Sequence, residues 1–154
     1  MVLIRVDDRL VHGQVVENWI PTFSITDVVV VSDAVVDDEL RKNIMRFSVP
    51  DDVDIYFIKV DELKTLSFET KRNYLILFEN LYDIKRAIEN RFEIKEINIG
   101  GIHYAKGRNF CFGKLIFLSD EEKEILREIN SLGIDLYFQP IPQEKRVKLM
   151  EIIE

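Results

Sequence analysis

Residues 2–20 read VLIRVDDRLVHGQVVENWI, and the folding of this stretch decides the architecture. The run VLIRV (2–6) is apolar apart from Arg5 and has the composition of a strand. The chain then turns acidic at Asp7 and Asp8. From Gly13 onward, Val15, Val16, Trp19 and Ile20 fall on one face of a helix, which Pro21 is expected to close. A strand that enters a helix through so short a loop is the first half of a β-α-β unit, which requires a parallel strand further on.

Such strands follow. DVVVVS (27–32) reads as a buried strand, and after it comes a helix with Val36, Leu40, Ile44 and Phe47 at near-helical spacing. VDIYFI (53–58) is the third strand, with a weak helical stretch at 61–67 behind it. NYLILF (73–78) is the fourth, and Leu81, Ile84 and Ile88 mark the next helix. KEINIG (95–100) is the fifth, followed by the loop GIHYAKGR (101–108). Ser119 and Glu122 have capping-box spacing. Ile125, Leu126, Ile129 and Leu132 line the helix they open, and Gly133 stands where a C-terminal cap belongs. IDLYF (134–138) is a late strand, and the last dozen residues read as a short amphipathic helix. This alternation predicts the α/β class: residues 1–154 as a single domain built on an open, mostly parallel, twisted sheet with helices on both faces.

Composition narrows the function classes. The 154 residues suffice for one sizeable core, and 47% hydrophobic content excludes a disordered chain. A formal charge of −7 argues against a nucleic-acid partner but is compatible with a small local anion site. The lone cysteine, Cys111, excludes an internal disulfide and is read as an apolar filler. The start MVLIRVDD has no basic leader, and no apolar run approaches the roughly 20 residues of a membrane span, so a soluble, cytoplasmic protein is expected. Two histidines and one cysteine, far apart, make no zinc set, and no glycine-rich nucleotide loop is present. No metal and no cofactor is expected. Trp19 is read as core, Asp51-Asp52 as a turn, and Lys145, Arg146 and Lys148 as a solvated face with docking of an acidic partner as the alternative.

In open α/β sheets ligands gather beyond the carboxyl ends of the strands, and VDDRLVHGQV (6–15) straddles such an end. Arg5 and Asp7 project to the same side of the strand and are placed to pair. His12 precedes the helix, where the unbonded N–H groups from Gly13 to Val15 and the helix dipole make an anion site. Gly13 permits close approach, and the planar fork of Arg9 suits phosphate oxygens if the loop folds back. A histidine so placed can carry phosphate. It attacks as a neutral ring, which positive surroundings favour, and a carboxylate, Asp7 or Asp8, fixes the tautomer by accepting from the other ring nitrogen. Two plainer readings fit the same residues: a purely structural Arg5–Asp7 ion pair, and a loop histidine that is a surface residue or a cap.

RVDDRLVHGQVVENW (5–19) closely resembles the active-site signature of the IIB subunit of the mannose/fructose/sorbose family of the bacterial sugar phosphotransferase system. Arg5, Asp7, Asp8, Arg9, Leu10, His12, Gly13, Gln14, Val15 and Trp19 match the family pattern, and Val6 and Val11 are conservative changes. VVVVSDAVVDDELRK, INIGGIHYAKGR, LSDEE and INSLGIDLYFQPIP resemble later family segments in the expected order, so the likeness extends over essentially the whole chain. The resemblance implies a protein-N-phosphohistidine–sugar phosphotransferase component. It would take a phosphoryl group from a phosphohistidine of a IIA partner, hold it on His12, and pass it to a sugar entering through the membrane subunits IIC and IID. It also implies that Arg9 binds phosphoryl oxygens and that Asp7 or Asp8 organises the loop, with Arg5, Gly13 and Gln14 in the same set. Peripheral association with the membrane subunits, or a homodimer, is implied on the same ground.

Two places depart from the pattern. Glu79-Asn80-Leu81 stands where the family often has a small or hydroxyl residue before Asn-Pro, so Glu79 is expected to face away from a phosphate. His103 is not expected in the family and is read as an exposed loop residue, the alternative being contact with the site or a partner. Competing readings are a non-catalytic, regulatory relative of the same fold, and a receiver-like signalling domain with Asp7 and Asp8 as its acidic pair. The receiver needs an aspartate ending the third strand, where Asp61 comes closest, and a lysine after the fifth, where Gly100-Gly101-Ile102 stands.

Overall fold

The computed structural model describes residues 1–153; Glu154, in the expected last helix, lies outside them. Among the described residues there are nine strands: β1 (Val2–Asp7), β2 (Asp27–Val31), β3 (Asp54–Ile58), β4 (Tyr74–Phe78), β5 (Glu96–Gly101), β6 (Phe110–Phe112), β7 (Ile116–Leu118), β8 (Asp135–Phe138) and β9 (Val147–Lys148). Seven of them form one sheet in the order β3-β2-β4-β1-β5-β8-β9. Every neighbouring pair is parallel except β8 with β9.

Strand alternation divides the interior into two cores. Leu3, Val28, Val30, Leu75 and Leu77 face the helix after β1, packing on Val15, Trp19 and Ile20. Ile4, Val6, Val29, Val31, Ile76 and Phe78 face the other way, toward α4 (Leu81–Glu89), α5 (Asp120–Ser131) and α6 (Leu149–Ile153). β2 and β4 are buried at every position, as strands covered on both faces must be. The crossover leaving β1 lies over one face and those leaving β4 and β5 lie over the other. Strand order therefore reverses beside β1, and a crevice forms at its carboxyl end.

The expected elements recur with four corrections. Pro21 does not close the first helix. Residues 13–22 are helical, with a π-helical stretch Val15–Trp19 leading into α1 (Ile20–Thr22). Ile20 N–H reaches back five residues to Val15 C=O, and Pro21 then sits at the start of the closing turn, where no N–H is needed. The second helix is two helices, α2 (Asp33–Val36) and α3 (Glu39–Ser48). Asp38 restarts the helix by accepting from the Arg41 N–H at 3.1 Å. The new register turns Met45 and Val49 inward and leaves Leu40, Ile44 and Phe47 on the surface, Phe47 at 90% exposure.

The segment after the 101–108 loop contains a hairpin, β6–β7, closed by Gly113 and Lys114 with φ of 58° and 59°. Positive φ at these two positions reverses the chain within the three residues that separate the paired Phe112 and Ile116. Cys111 is exposed rather than a core filler, because in β6 its neighbours Phe110 and Phe112 take the inward direction. Finally, the chain pairs β9 with β8 before α6, so the terminal helix is shorter than a dozen residues.

Trp19 is fully buried, the Ser119–Glu122 capping box is formed, and Gly133 has φ 84°. Among the described residues no helix is long and apolar enough to cross a membrane. Urea unfolding should separate the two sides of α3. Phe47→Ser is expected to change stability by less than about 0.5 kcal/mol, and Met45→Ala to cost about 2–5 kcal/mol.

Candidate functional site

The site is built around one buried cation. Arg5 projects from β1 into the interior with no exposed surface. Its Nη1 donates to Asn98 Oδ1 on β5 and to the Gln139 carbonyl at 3.0 Å. Its Nη2 donates to Asp7 Oδ2 at 2.9 Å and to the Pro140 carbonyl at 3.1 Å. Trp19 lies under the guanidinium, 4.7 Å from its ring centroid, and its Nε1–H donates to the same Pro140 carbonyl at 2.9 Å. Gly100 is required here, since a Cβ at that position would overlap the guanidinium.

Asp7 receives the rest of the site. It is fully buried at the end of β1, where the register against β5 shifts between Val6 and Asp7. The chain turns back at once, with Leu10 N–H on the Asp7 carbonyl at 2.9 Å and Leu10 held at φ 56°. This left-handed residue is fully buried, so packing offsets its backbone strain. The turn delivers the Arg9 amide to Asp7 Oδ1 at 3.1 Å and the Arg9 guanidinium to 3.7 Å from the same oxygen. It also brings His12 Nε2 to 2.9 Å from Asp7 Oδ2. Burial on its own would raise the Asp7 carboxyl. The hydrogen bond with His12, the charge of Arg5 and the Arg9 amide outweigh it and hold the group below its ordinary 3.8.

An ionised carboxylate can only accept, so Asp7 takes the Nε2–H of His12, and in the neutral ring it is then Nδ1 that carries the lone pair. The ring is 14% exposed, enough for approach from one side. The helix begins directly behind it: Val16 N–H bonds to the His12 carbonyl at 3.0 Å, so the N–H groups of Gly13, Gln14 and Val15 precede the helical ladder. A Cβ on Gly13 would meet no atom within 4 Å, so packing does not require the glycine. Gln14 Oε1 is 3.5 Å from Arg9 Nη2, at the far limit of a hydrogen bond.

Arg5, Asp7, Arg9, His12, Gly13 and Gln14 thus come together. Asp8 does not join them: it points from the opposite side of the chain and binds His103, through the backbone N–H at 2.7 Å and ring Nδ1 at 2.6 Å. The tautomer-fixing carboxylate is therefore Asp7 alone. Glu79 is neutralised by Arg41 at 3.2 Å and bonded by Ser32, and Asn80 caps α4, which accounts for the unusual Glu79-Asn80-Leu81. Asp61 lies in a 3-10 turn (Val60–Thr65) behind β3, the edge strand, paired with Arg86; β2 and β4 separate it from Asp7. The receiver geometry is absent. Among the described residues no group of three or more His, Cys, Asp or Glu is arranged to hold a metal. The roles of Asn98, Gly100, Gln139 and Pro140 were not foreseen. Their only sequence signal was a cation, Arg5, inside an otherwise apolar strand.

Residues 1–154 match the family described as the PTS system sorbose subfamily IIB component, and the chain belongs to that family. It is 27% identical over 154 residues to the mannose-specific EIIAB component of Escherichia coli (strain K12), covering 98% of this chain and 47% of that protein, so it spans about half of the longer relative. It is 27% identical to the fructose-specific EIIB component of Bacillus subtilis (strain 168), over 99% of this chain and 95% of that one. The solved structure of manxB from Thermoanaerobacter tengcongensis superposes with a TM-score of 0.88 at 28% identity, covering 99% and 95% of the two chains.

The Arg5–Asp7 pair makes a checkable statement about acid. Because folding lowers the Asp7 carboxyl below 3.8, its ionised form stabilises the fold above that value, and the contribution is lost as pH falls through the lower folded value. Asp7→Asn strands a buried guanidinium and should cost about 3–5 kcal/mol at neutral pH. In chemical melts the gap between wild type and variant should narrow as pH drops below 3.8; a gap unchanged by acid would contradict this.

Proposed function

We propose that this chain is a working phosphocarrier, a cytoplasmic IIB component that accepts a phosphoryl group on His12 from the phosphohistidine of a IIA protein. It then hands the group to a sugar brought in by membrane IIC and IID subunits, with which it associates peripherally. One observation carries this reading: the His12 ring, directly before a helix start, is gripped through Nε2 by a buried carboxylate that also holds Arg9, which leaves Nδ1 as the free ring nitrogen. In the transfer, His12 Nδ1 attacks phosphorus in line with the donor's N–P bond. That bond breaks, its electron pair returns to the donor imidazole, and Asp7 stabilises the positive ring that forms on His12. The amides opening the helix and the Arg9 fork bind the developing anionic oxygens, and Gly13 leaves them room. Asp7 and Arg5 position and charge-balance these groups without touching phosphorus.

Relatives named for mannose and for fructose are equally similar to this chain, which supports a carrier whose sugar is selected elsewhere in the assembly. Incubation with phosphoenolpyruvate, the general phosphotransferase proteins and IIA should add one phosphate that survives base and is lost in acid. His12→Ala should take up none. Arg9→Ala should fold normally yet accept phosphate about tenfold or more slowly. Nitrogen-15 and phosphorus-31 NMR should place the group on Nδ1. A wild-type protein that stays unphosphorylated would favour the non-catalytic, regulatory relative.

A further inference from the structure

We propose that His103 is a second phosphoryl-binding residue, whose Nε2–H donates to an oxygen of the group carried by His12; this rests on the carrier reading above. The ring stands in the right place. A Cβ built on Gly101 would lie 3.4 Å from His103 Cε1 and 3.6 Å from Asp7 Oδ1. The edge of the His103 ring and the carboxylate that grips His12 therefore flank one point. Nδ1 is taken by Asp8, so Nε2, on the other side of Cε1, is the ring nitrogen left for a ligand.

His103 is held far more firmly than a solvated loop residue requires. Its backbone N–H and its ring both bind the Asp8 carboxylate. Its carbonyl accepts from Arg108 Nη1. Arg108 is clamped by two bonds of 2.8 and 2.9 Å to Glu122, which is 3% exposed and also caps α5. A half-exposed side chain is thus anchored on one side to the strand that ends at the site and on the other to a helix in the core.

Charge supplies the chemical reason. Arg5 and Arg9 share one carboxylate, Asp7, which leaves a single net positive charge for an arriving dianion, and the Asp8 carboxylate on the other side of the chain cancels it unless its own partner, His103, is charged. A dianionic phosphoryl group favours the charged form of a neighbouring imidazole. His103 in that form keeps Nδ1–H on Asp8 and presents Nε2–H to the phosphoryl oxygen, a charge-assisted hydrogen bond. Asp8 then orients and neutralises His103 instead of repelling the phosphate.

The test uses nitrogen-15-labelled full chain as wild type, His103→Gln and His103→Ala, phosphorylated through IIA as above. The His103 Nε2 resonance of wild type should shift when His12 becomes phosphorylated. The phosphoryl group should be lost to water about tenfold faster in His103→Ala, the size expected of one hydrogen bond to a charged group. His103→Gln, whose amide can still donate, should recover part of that lifetime, which a merely structural role would not produce. The inference is overturned by an Nε2 resonance that is the same in both states, by an unchanged lifetime in His103→Ala, or by phosphate found on His103 itself. If wild type takes up no phosphate at all, the carrier reading fails and takes this one with it; if wild type is phosphorylated and the variants match it, only the role of His103 falls.

Discussion

A guanidinium sealed inside the sheet is the constraint on which this molecule is organised. Arg5 sits where a strand covered on both faces would ordinarily carry a valine or isoleucine, and a buried charge is tolerated only when paired and hydrogen-bonded. The fold meets that demand from four directions: Asp7 on the same strand, Asn98 on the neighbouring one, and the carbonyls of Gln139 and Pro140 beyond β8. Each partner is thereby fixed in turn. The Gln139–Pro140 corner is drawn over the sheet and held a second time by Trp19, so the first helix, β5 and the chain after β8 share one anchor. Gly100 is the steric counterpart, removing a side chain so that the guanidinium can pass.

The site follows from that anchor. Because Arg5 immobilises Asp7, the carboxylate is a rigid acceptor at the carboxyl end of β1, and the residues of the returning turn are placed relative to it. Two adjacent aspartates then act in opposite directions, since consecutive side chains of an extended chain point apart. Asp7 goes inward to Arg5 and His12, and Asp8 goes outward to the loop after β5. A pair that looks redundant in sequence is a hinge point, one member for each histidine.

Much of this was legible beforehand. The strand-to-helix opening at 2–20, the β-branched run at 27–31 and the capping box at Ser119 each encode local structure in residues close together, and each appears where expected. The Arg5–Asp7 pair was also readable from strand alternation alone. The failures have a common form. Leu40, Ile44 and Phe47 keep helical spacing, but periodicity does not say which side of a helix meets the sheet, and the restart at Asp38 turned them outward. The β6–β7 hairpin and β9 are short strands whose existence depends on partners rather than on their own composition.

The sequence by itself determined the class of fold, the position of His12 between a strand and a helix, and the cation and carboxylates around it, because strand, turn and cap preferences act over a few residues. Only the tertiary structure decided that Asp7 and not Asp8 holds His12, that Glu79 is neutralised by Arg41, and that a histidine some ninety residues further on stands at the same crevice. Those outcomes depend on which chain segments the parallel sheet brings side by side. The pairing of β1 with β5, and the carbonyls brought in beyond β8, are the long-range contacts by which one charge is buried.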